Sequence, residues 1–401
     1  MSDGSNTLWV LPALAARRVD DDAIVLTHKF VDGIRQYQEH WPGQVAVGMY
    51  PADRESGNLG ETTIPICDLP FRFEWLDEDP SSVVENVSGA RLVLASLVDQ
   101  HLHLAEALAG HSVPLIFVSE YTLQTRKQII RSETSNPLLR MRRSHWTAQL
   151  EKRVEAAVPM ATGIQCNGTP TYDAYRDVNE NPLLYFDTRV SAADVATDEA
   201  IEARAVTVSS GEPLRLAYSG RLIAMKGVDH LPRVASMLRD ADVPFTMKIC
   251  GAGALEDALQ AQIDRDNLGD VVELMGELDF RSELLPYVRD NVDLFVCCHR
   301  QGDPSCSYME TMACGTPIIG YMNEAFEGIV RTTGVGWAVP IDRPDAMAER
   351  IARLHEDRSA LISMATQSRD IAARHTFEST MKDRVEHMKM CAGMRAHRAA
   401  S

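Results

Sequence analysis

The chain's 401 residues suffice for two domains, each with its own core, and 45% hydrophobic with 24% charged residues exclude a disordered protein. With 57 acidic against 40 basic residues the net charge is −17, which excludes a nucleic-acid-coating basic face and leaves phosphates to local clusters of Arg and Lys. No apolar run reaches the ~18 residues of a membrane span, residues 1–7 lack a signal-peptide pattern, and the eight cysteines include no CxxC pair, so a cytoplasmic chain with reduced thiols, no metal site and no cofactor is expected.

Short apolar runs alternating with helical periodicity predict βαβ units and parallel sheets. Strands are predicted at 23–27 and 45–49, with a helix over 30–41 between them. The runs 91–96 and 113–118 are almost wholly apolar, as strands covered on both faces should be. Residues 122–158 read as helical and 161–166 as strand. The stretch 191–212, rich in Ala, Ser and Asp with weak periodicity, reads as the joint between two domains. The pattern then restarts with a strand at 214–218, ended by Ser219-Gly220-Arg221, and a helix at 228–238. A strand at 245–250 ends in Gly251-Ala252-Gly253 and leads to a helix over 255–266. Strands at 271–275, 293–298 and 317–321 alternate with helices at 283–288, 308–314 and from 345 onward. The prediction is α/β: two Rossmann-like, doubly wound domains facing each other across a cleft. They span 1–205 and 206–375, with a last helical segment, 376–401, packing back on the first domain.

One charge cluster stands out. Arg126, Lys127, Arg131, Arg140, Arg142, Arg143, Lys152 and Arg153 crowd a helical region opposed only by Glu133 and Glu151. A solvated helical face explains most such runs. In a chain this acidic, the alternative is peripheral contact of residues 126–153 with the anionic inner face of a membrane.

Two loops carry the chemistry. Arg221 and Lys226 stand five positions apart in the loop after strand 214–218, flanked by Gly220 and Gly227. Ligands of open α/β sheets bind beyond the C-terminal ends of the strands. There the planar fork of Arg and the compact charge of Lys, both expected to be exposed in the cleft, converge on one diphosphate. The second loop, 299–307, leads into a short helix. Cys306 and Ser307 are small enough for their N–H groups to approach an anion, and Glu310 in the first turn suits vicinal hydroxyls such as those of a ribose. Taken alone, each residue has an ordinary structural reading, as a surface cation or a helix-start carboxylate.

In this order and spacing, Ser-Gly-Arg-x4-Lys-Gly at 219–227, Gly251-Ala252-Gly253, Gly276-Glu277-Leu278 and Glu310-x-Met-Ala-Cys-Gly-Thr-Pro resemble glycosyltransferase family 4, the group 1 transferases of the GT-B fold. The resemblance covers roughly residues 214–340. It implies an acceptor-binding first domain and a donor-binding second domain. It also implies a retaining, metal-independent hexosyl- or related glycosyltransferase of polysaccharide biosynthesis. Such an enzyme moves a sugar from a nucleotide diphosphate-sugar to a hydroxyl of a glycan, a lipid-linked glycan or a small molecule. By the same resemblance Arg221 and Lys226 bind the donor diphosphate, Glu310 binds its ribose, and Glu277 and Leu278 lie near its base. Ser219, Gly220, Gly251, Cys306, Ser307 and Tyr308 line the donor pocket.

One position departs from the family pattern. The acid expected eight residues before Glu310 is Gly302, and Asp303 is favoured to supply the carboxylate that touches the transferred sugar, with the Gln301 amide as the alternative. The family's glycine-rich loop after the first strand is also absent. In its place stand His28, Lys29, Asp32 and Gly33, expected to face the cleft. His101 and His103 follow the 91–96 strand and Glu120 follows the 113–118 strand, so His101 and Glu120 are candidates for the sugar or acceptor side. Asp187-Thr188-Arg189 reads as an architectural turn. A dinucleotide oxidoreductase is opposed by Glu256, which stands where GxGxxG needs its third glycine. A GT-B sugar-nucleotide epimerase and a non-catalytic nucleotide-sugar binder stay open.

Overall fold

The structure is a computed structural model that describes residues 6–14, 16–19, 22–52, 61–134 and 136–393. Its N-terminal sheet is wholly parallel, in the order Pro182–Tyr185, Gly163–Asn167, Leu115–Ser119, Leu92–Ser96, Leu8–Leu11, Val45–Met49, Arg72–Trp75. Register places Val10 between Val47 and Leu94. Helices cover both faces, so Leu92, Val93, Leu94 and Ala95 are all buried despite alternating in direction. Each fully buried Val or Leu contributes about 1.5–3 kcal/mol.

The C-terminal sheet is also parallel, in the order Val272–Gly276, Phe245–Cys250, Leu214–Ser219, Leu294–Cys297, Ile318–Tyr321, Trp337–Val339. The chain builds outward from Leu214–Ser219 on one side, then crosses and builds outward from Leu294–Cys297 on the other. The crevice of such a sheet opens where the order reverses, between these two strands. The two loops singled out in the sequence follow exactly those two strands in the chain.

Several elements differ from the sequence reading. The first strand of the parallel sheet is Leu8–Leu11. The apolar run Ala23–Thr27 instead pairs antiparallel with Ala16–Arg18 and Glu61–Pro65 in a small four-stranded sheet. That excursion lies between the first strand and its helix, His28–His40, and takes the place of a short glycine-rich turn. The helical stretch 122–158 is two helices, Leu123–Glu133 and Pro137–Ala157. Asn136 caps the second by accepting from the N–H groups of Leu138 (3.0 Å) and Leu139 (3.2 Å), and Pro137 fits its first turn.

The joint contains a helix, Asp198–Ser209, capped by Thr197. It packs against Arg358–Ala372 and puts Val208 into the C-terminal core, so a division at 205/206 runs through a helix of the second domain. Helix Glu324–Thr333 and strand Trp337–Val339 complete that domain. The last helix, Phe377–Cys391, lies on the first domain, where Met381, Val385 and Met388 share a core with Tyr37, Trp41 and Phe71.

Candidate functional site

The first site loop is held by close backbone packing. Gly227 has φ 64°, and a Cβ there would stand 1.9 Å from the carbonyl oxygen of Cys298, so only glycine lets the loop lie against the neighbouring strand end. Arg300 secures the same loop from outside. Its guanidinium donates to the Ala224 carbonyl (2.8 Å), to both oxygens of Asp229 (2.7 and 2.8 Å) and to Asp342 (2.7 Å). A Cβ on Gly251 would stand 2.0 Å from the Gly220 carbonyl oxygen, so Gly251 serves the packing of two adjacent loops.

Arg221 is exposed, and its guanidinium has no hydrogen-bond partner among the described residues. Lys226 is different from the expectation: it is buried, and its ammonium donates to Asp303 Oδ2 at 2.9 Å. Burial alone would raise the Asp303 carboxyl, but the Lys226 ammonium beside it holds it below the usual range. The Lys226 ammonium has two further N–H donors, and Asp303 Oδ1 is buried without a partner. Beneath this pair His299 packs among Tyr218 and Tyr308, a buried aromatic floor. Burial and the charge of Lys226 drive the His299 pKa well below that of a free imidazole, so it stays neutral.

The helix Cys306–Ala313 starts at the rim of this crevice. The N–H groups of Cys306 and Ser307 precede any intrahelical acceptor and are free for an anion. Glu310 is buried one turn in, and Arg189 grips it with two bonds, Nε to Oε1 at 2.8 Å and Nη2 to Oε2 at 3.1 Å. The Arg189 guanidinium also lies 3.8 Å from the centre of the Phe280 ring. One lone pair on each Glu310 oxygen is thus used and one is left. The exposed Glu277 and the half-buried Leu278 follow Gly276 at the start of the loop that bears Phe280.

The first domain faces these groups. Lys29, at the start of its helix, pairs with Asp187 and reaches the Cys306 thiol at 3.2 Å. Burial works against the Lys29 charge, but Asp187 lifts its pKa above the ordinary lysine value. Burial and Asp187 push the Cys306 thiol up to about 12, so it is a neutral neighbour rather than a nucleophile. Glu120 keeps accessible surface, yet the surrounding protein and Asp187 raise its carboxyl above the usual range. Tyr121 stands in the same field as Arg221, Asp303 and Cys306.

Arg221, Lys226, Asp303, Cys306, Ser307 and Glu310 therefore meet at one crevice, with Lys29 and Glu120 opposite. Other candidates lie elsewhere. Asp32 pairs with Arg35 on the exposed side of its helix at 2.9 Å, and Gly33 faces Met381 of the last helix. His101 is buried on Tyr50, with Nδ1 3.0 Å from the Ser96 carbonyl oxygen. The Tyr308 ring is part of the core, stacked on Phe326, and its hydroxyl accepts from Asn323 Nδ2 at 3.2 Å. Helical geometry turns it away from the crevice that Glu310, two residues on, faces.

Sequence reasoning read Asp187 and Arg189 only as an architectural turn and passed over Glu324. A Cβ on Gly302 would meet the Glu324 side chain, its Cβ at 2.9 Å and its Oε2 at 3.1 Å. Glu324 Oε2 in turn accepts from Thr122 (3.0 Å) and Thr125 (3.3 Å) of the first domain. The space of the expected acid at 302 is thus filled by a carboxylate from another helix, and Asp303 is committed to Lys226. Two opposite charges two positions apart in Asp187-Thr188-Arg189 were the available signal for the first pair; Glu324 left none.

Known proteins resemble this chain over part of its sequence and in its fold. Residues 199–371 match the family model described as glycosyl transferases group 1. A curated relative, the putative colanic acid biosynthesis glycosyltransferase WcaL of Salmonella typhimurium, is 28% identical over 172 residues, 41% of this chain and 42% of that protein. The amylovoran biosynthesis glycosyltransferase AmsK of Erwinia amylovora is 24% identical over 185 residues, 45% of this chain and 44% of that protein. The matched stretch spans less than half the length of these relatives. Among solved structures, Anabaena Alr3699/HepE in complex with UDP superposes with a TM-score of 0.65 at 15% identity, covering 95% of this chain and 98% of that one. A glycosyltransferase from Rickettsia africae gives 0.63 at 11% identity, covering 96% and 98%. These likenesses give the fold: two Rossmann-like domains in the GT-B arrangement.

Proposed function

We propose that this chain, a group 1 glycosyl transferase by its residues 199–371, moves a glycosyl unit from a nucleotide diphosphate-sugar to a hydroxyl acceptor, with retention at the anomeric carbon and without a metal ion. The observation that carries the reading is the convergence of Arg221, Lys226 and the start of helix Cys306–Ala313 on one crevice at the reversal of the sheet. As the anomeric C–O bond breaks, its electron pair leaves with the diphosphate. Preorganised cations and N–H groups at that spot stabilise the charge most when it is greatest, in the transition state. The acceptor hydroxyl then bonds to the anomeric carbon and its proton goes to a diphosphate oxygen. Glu310, held in place by Arg189, offers its remaining lone pairs to the two ribose hydroxyls. Apposition of the domains excludes water, whose attack would be the competing reaction.

A uridine nucleotide is the first donor to test, since the Anabaena protein of the same fold was solved with UDP. The names of the curated relatives favour a glycan or lipid-linked glycan as acceptor. Melting shifts with UDP, GDP, ADP and CMP select the base, because bound ligand stabilises the folded state by mass action. Transfer from the matching labelled donor is then followed by product anomer. Arg221→Ala should lower turnover by about 100- to 1,000-fold with the melting temperature unchanged. Near-normal turnover in that variant would refute the diphosphate assignment. Lys226→Ala should lower turnover too and destabilise the fold by about 3 kcal/mol, because it strands the buried Asp303 carboxylate. An epimerase would change the free donor without acceptor, and a binder would leave it unchanged.

A further inference from the structure

The helix Pro137–Ala157 has an unusual outer face. Thr147, Leu150, Val154 and Ala157 point inward. At helical spacing on the opposite side stand Leu138, Met141, Arg142, His145, Gln149 and Lys152, with Trp146 at the edge. Leu138 is 72% exposed, Met141 67% and Trp146 57%, and Leu139 on the flank is 42% exposed. These are among the largest exposures of apolar side chains in the described residues, and they share about two and a half turns of a single helix with arginines. No Asp or Glu occurs between positions 136 and 151, in a chain of net charge −17.

Seven of the eight basic residues of this region divide into two groups. Arg140 and Arg143 are used inward: Arg140 donates to the Thr134 carbonyl (2.9 Å) and Arg143 to the Thr134 hydroxyl (2.8 Å), tying together the turn between the helices. Arg126 pairs with Glu151 at 3.4 Å, and Arg153 pairs with Asp99. Arg131, Arg142 and Lys152 are exposed, and no ion pair engages them among the described residues. A merely solvated face has no use for Trp, Met and Leu among unpaired cations. A bilayer with anionic headgroups satisfies both: the cations meet lipid phosphates while the apolar side chains enter the headgroup–acyl boundary, where Trp is at home.

We propose that the outer face of helix Pro137–Ala157, with Arg131 of the preceding helix, docks on an anionic phospholipid surface. The charge complementarity commits the occupant: an apolar face free of acids from 136 to 150, with cations that have no ion pair among the described residues, on an otherwise acidic molecule. Placement gives the contact a consequence for the crevice. The neighbouring helix, Leu123–Glu133, packs on Pro137–Ala157 on one side. On the other it touches the site loops, through Gln128 Oε1 accepting from the Gly302 N–H at 3.0 Å and through contacts with Ala224–Lys226. Docking thus sets the rim of the crevice beside the lipid. This extends the transfer reading to where the reaction happens, but the contact itself needs no donor and is tested without one.

The test is co-sedimentation of the full chain with vesicles of phosphatidylcholine alone, or with roughly one quarter phosphatidylglycerol, at about 50 mM and about 500 mM salt. Binding is expected only to the anionic vesicles, and to fall sharply at the higher salt. Arg131→Gln/Arg142→Gln/Lys152→Gln should weaken partitioning by about fivefold per charge removed. Leu138→Ser/Met141→Ser/Trp146→Ser should weaken it at both salt levels. All these positions are exposed, so unchanged melting of each variant is the control for folding. Equal binding to neutral vesicles, no binding at all, or wild-type binding by the charge variant would overturn the proposal. So would sedimentation velocity showing a dimer that only the apolar variant dissociates, since the face would then be a contact between two copies.

Discussion

His101 shows how burial changes the meaning of a residue. In sequence it is a histidine after a strand, a candidate for touching a sugar. In the fold its ring is sealed under Tyr50, and burial pushes its pKa down to about 4 against the opposing pull of the Ser96 carbonyl. Above pH ~6.5 it is neutral in both folded and unfolded chains. As pH falls from ~6.5 toward ~4, the unfolded chain takes a proton that the folded chain refuses, so the native state loses up to about 3 kcal/mol. His299, also depressed, acts in the same direction. Urea titrations at pH 7 and 5 should show this loss, and His101→Asn, which keeps a donor for the Ser96 carbonyl, should remove about one proton's worth of the slope. An unchanged pH dependence would mean that the ring is not sealed. Glu310 and Lys226 make the complementary point: their positions stood out in the sequence, but their partners, Arg189 and Asp303, did not, because side-chain pairing is decided by loops that meet only in space.

At the level of elements, the last helix, Phe377–Cys391, is the clearest dependence. It belongs to the first domain's core although it follows the second domain in sequence. Arg384 donates to Gln165 Oε1 at 2.7 Å and lies between the rings of Tyr37 and Tyr185, 5.4 and 4.3 Å from their centres. Met388 is fully buried there, so Met388→Ala should cost about 2–4 kcal/mol of stability in a denaturant titration. The loss should appear in the unfolding of the first domain. If the second domain were destabilised instead, the packing described here would be wrong. The breaks in helical runs were partly legible: Asn136-Pro137 is a sequence-level start signal that long periodicity masked. The antiparallel placement of Ala23–Thr27 was not, because a five-residue apolar run carries no mark of its partner strands.

Across the whole molecule, the two domains meet closely on one side of the cleft. A Cβ on Gly328 would stand 1.8 Å from the Thr169 hydroxyl of the first domain, and Arg331 pairs with Asp173 nearby. Helix Glu324–Thr333 and helix Gly168–Tyr175 therefore touch through a position that only glycine allows. Gly328→Ala should push the domains apart while leaving each core intact. Small-angle scattering should report a larger radius of gyration, with little change in melting temperature. An unchanged radius would mean that the contact yields by local adjustment. The same apposition explains why Glu324 reaches Thr122 and Thr125: it works across the domain boundary, at the place the sequence appeared to leave empty at Gly302.

The sequence by itself determined that there are two α/β domains and singled out the loops at 219–227 and 299–310, which follow two adjacent strands of the second sheet. Both follow from local physics: apolar runs of strand length, glycines where backbones must touch, and cations beside helix starts. Only the tertiary structure decided which carboxylate fills the space beside Gly302, that Lys226 is buried against Asp303, and that Arg189 holds Glu310. It also showed that the basic run at 126–153 divides into arginines that tie a turn and cations that face outward with Trp146 and Met141. Such pairings join residues tens to hundreds of positions apart. Their energy depends on distance and burial, which a one-dimensional pattern does not contain.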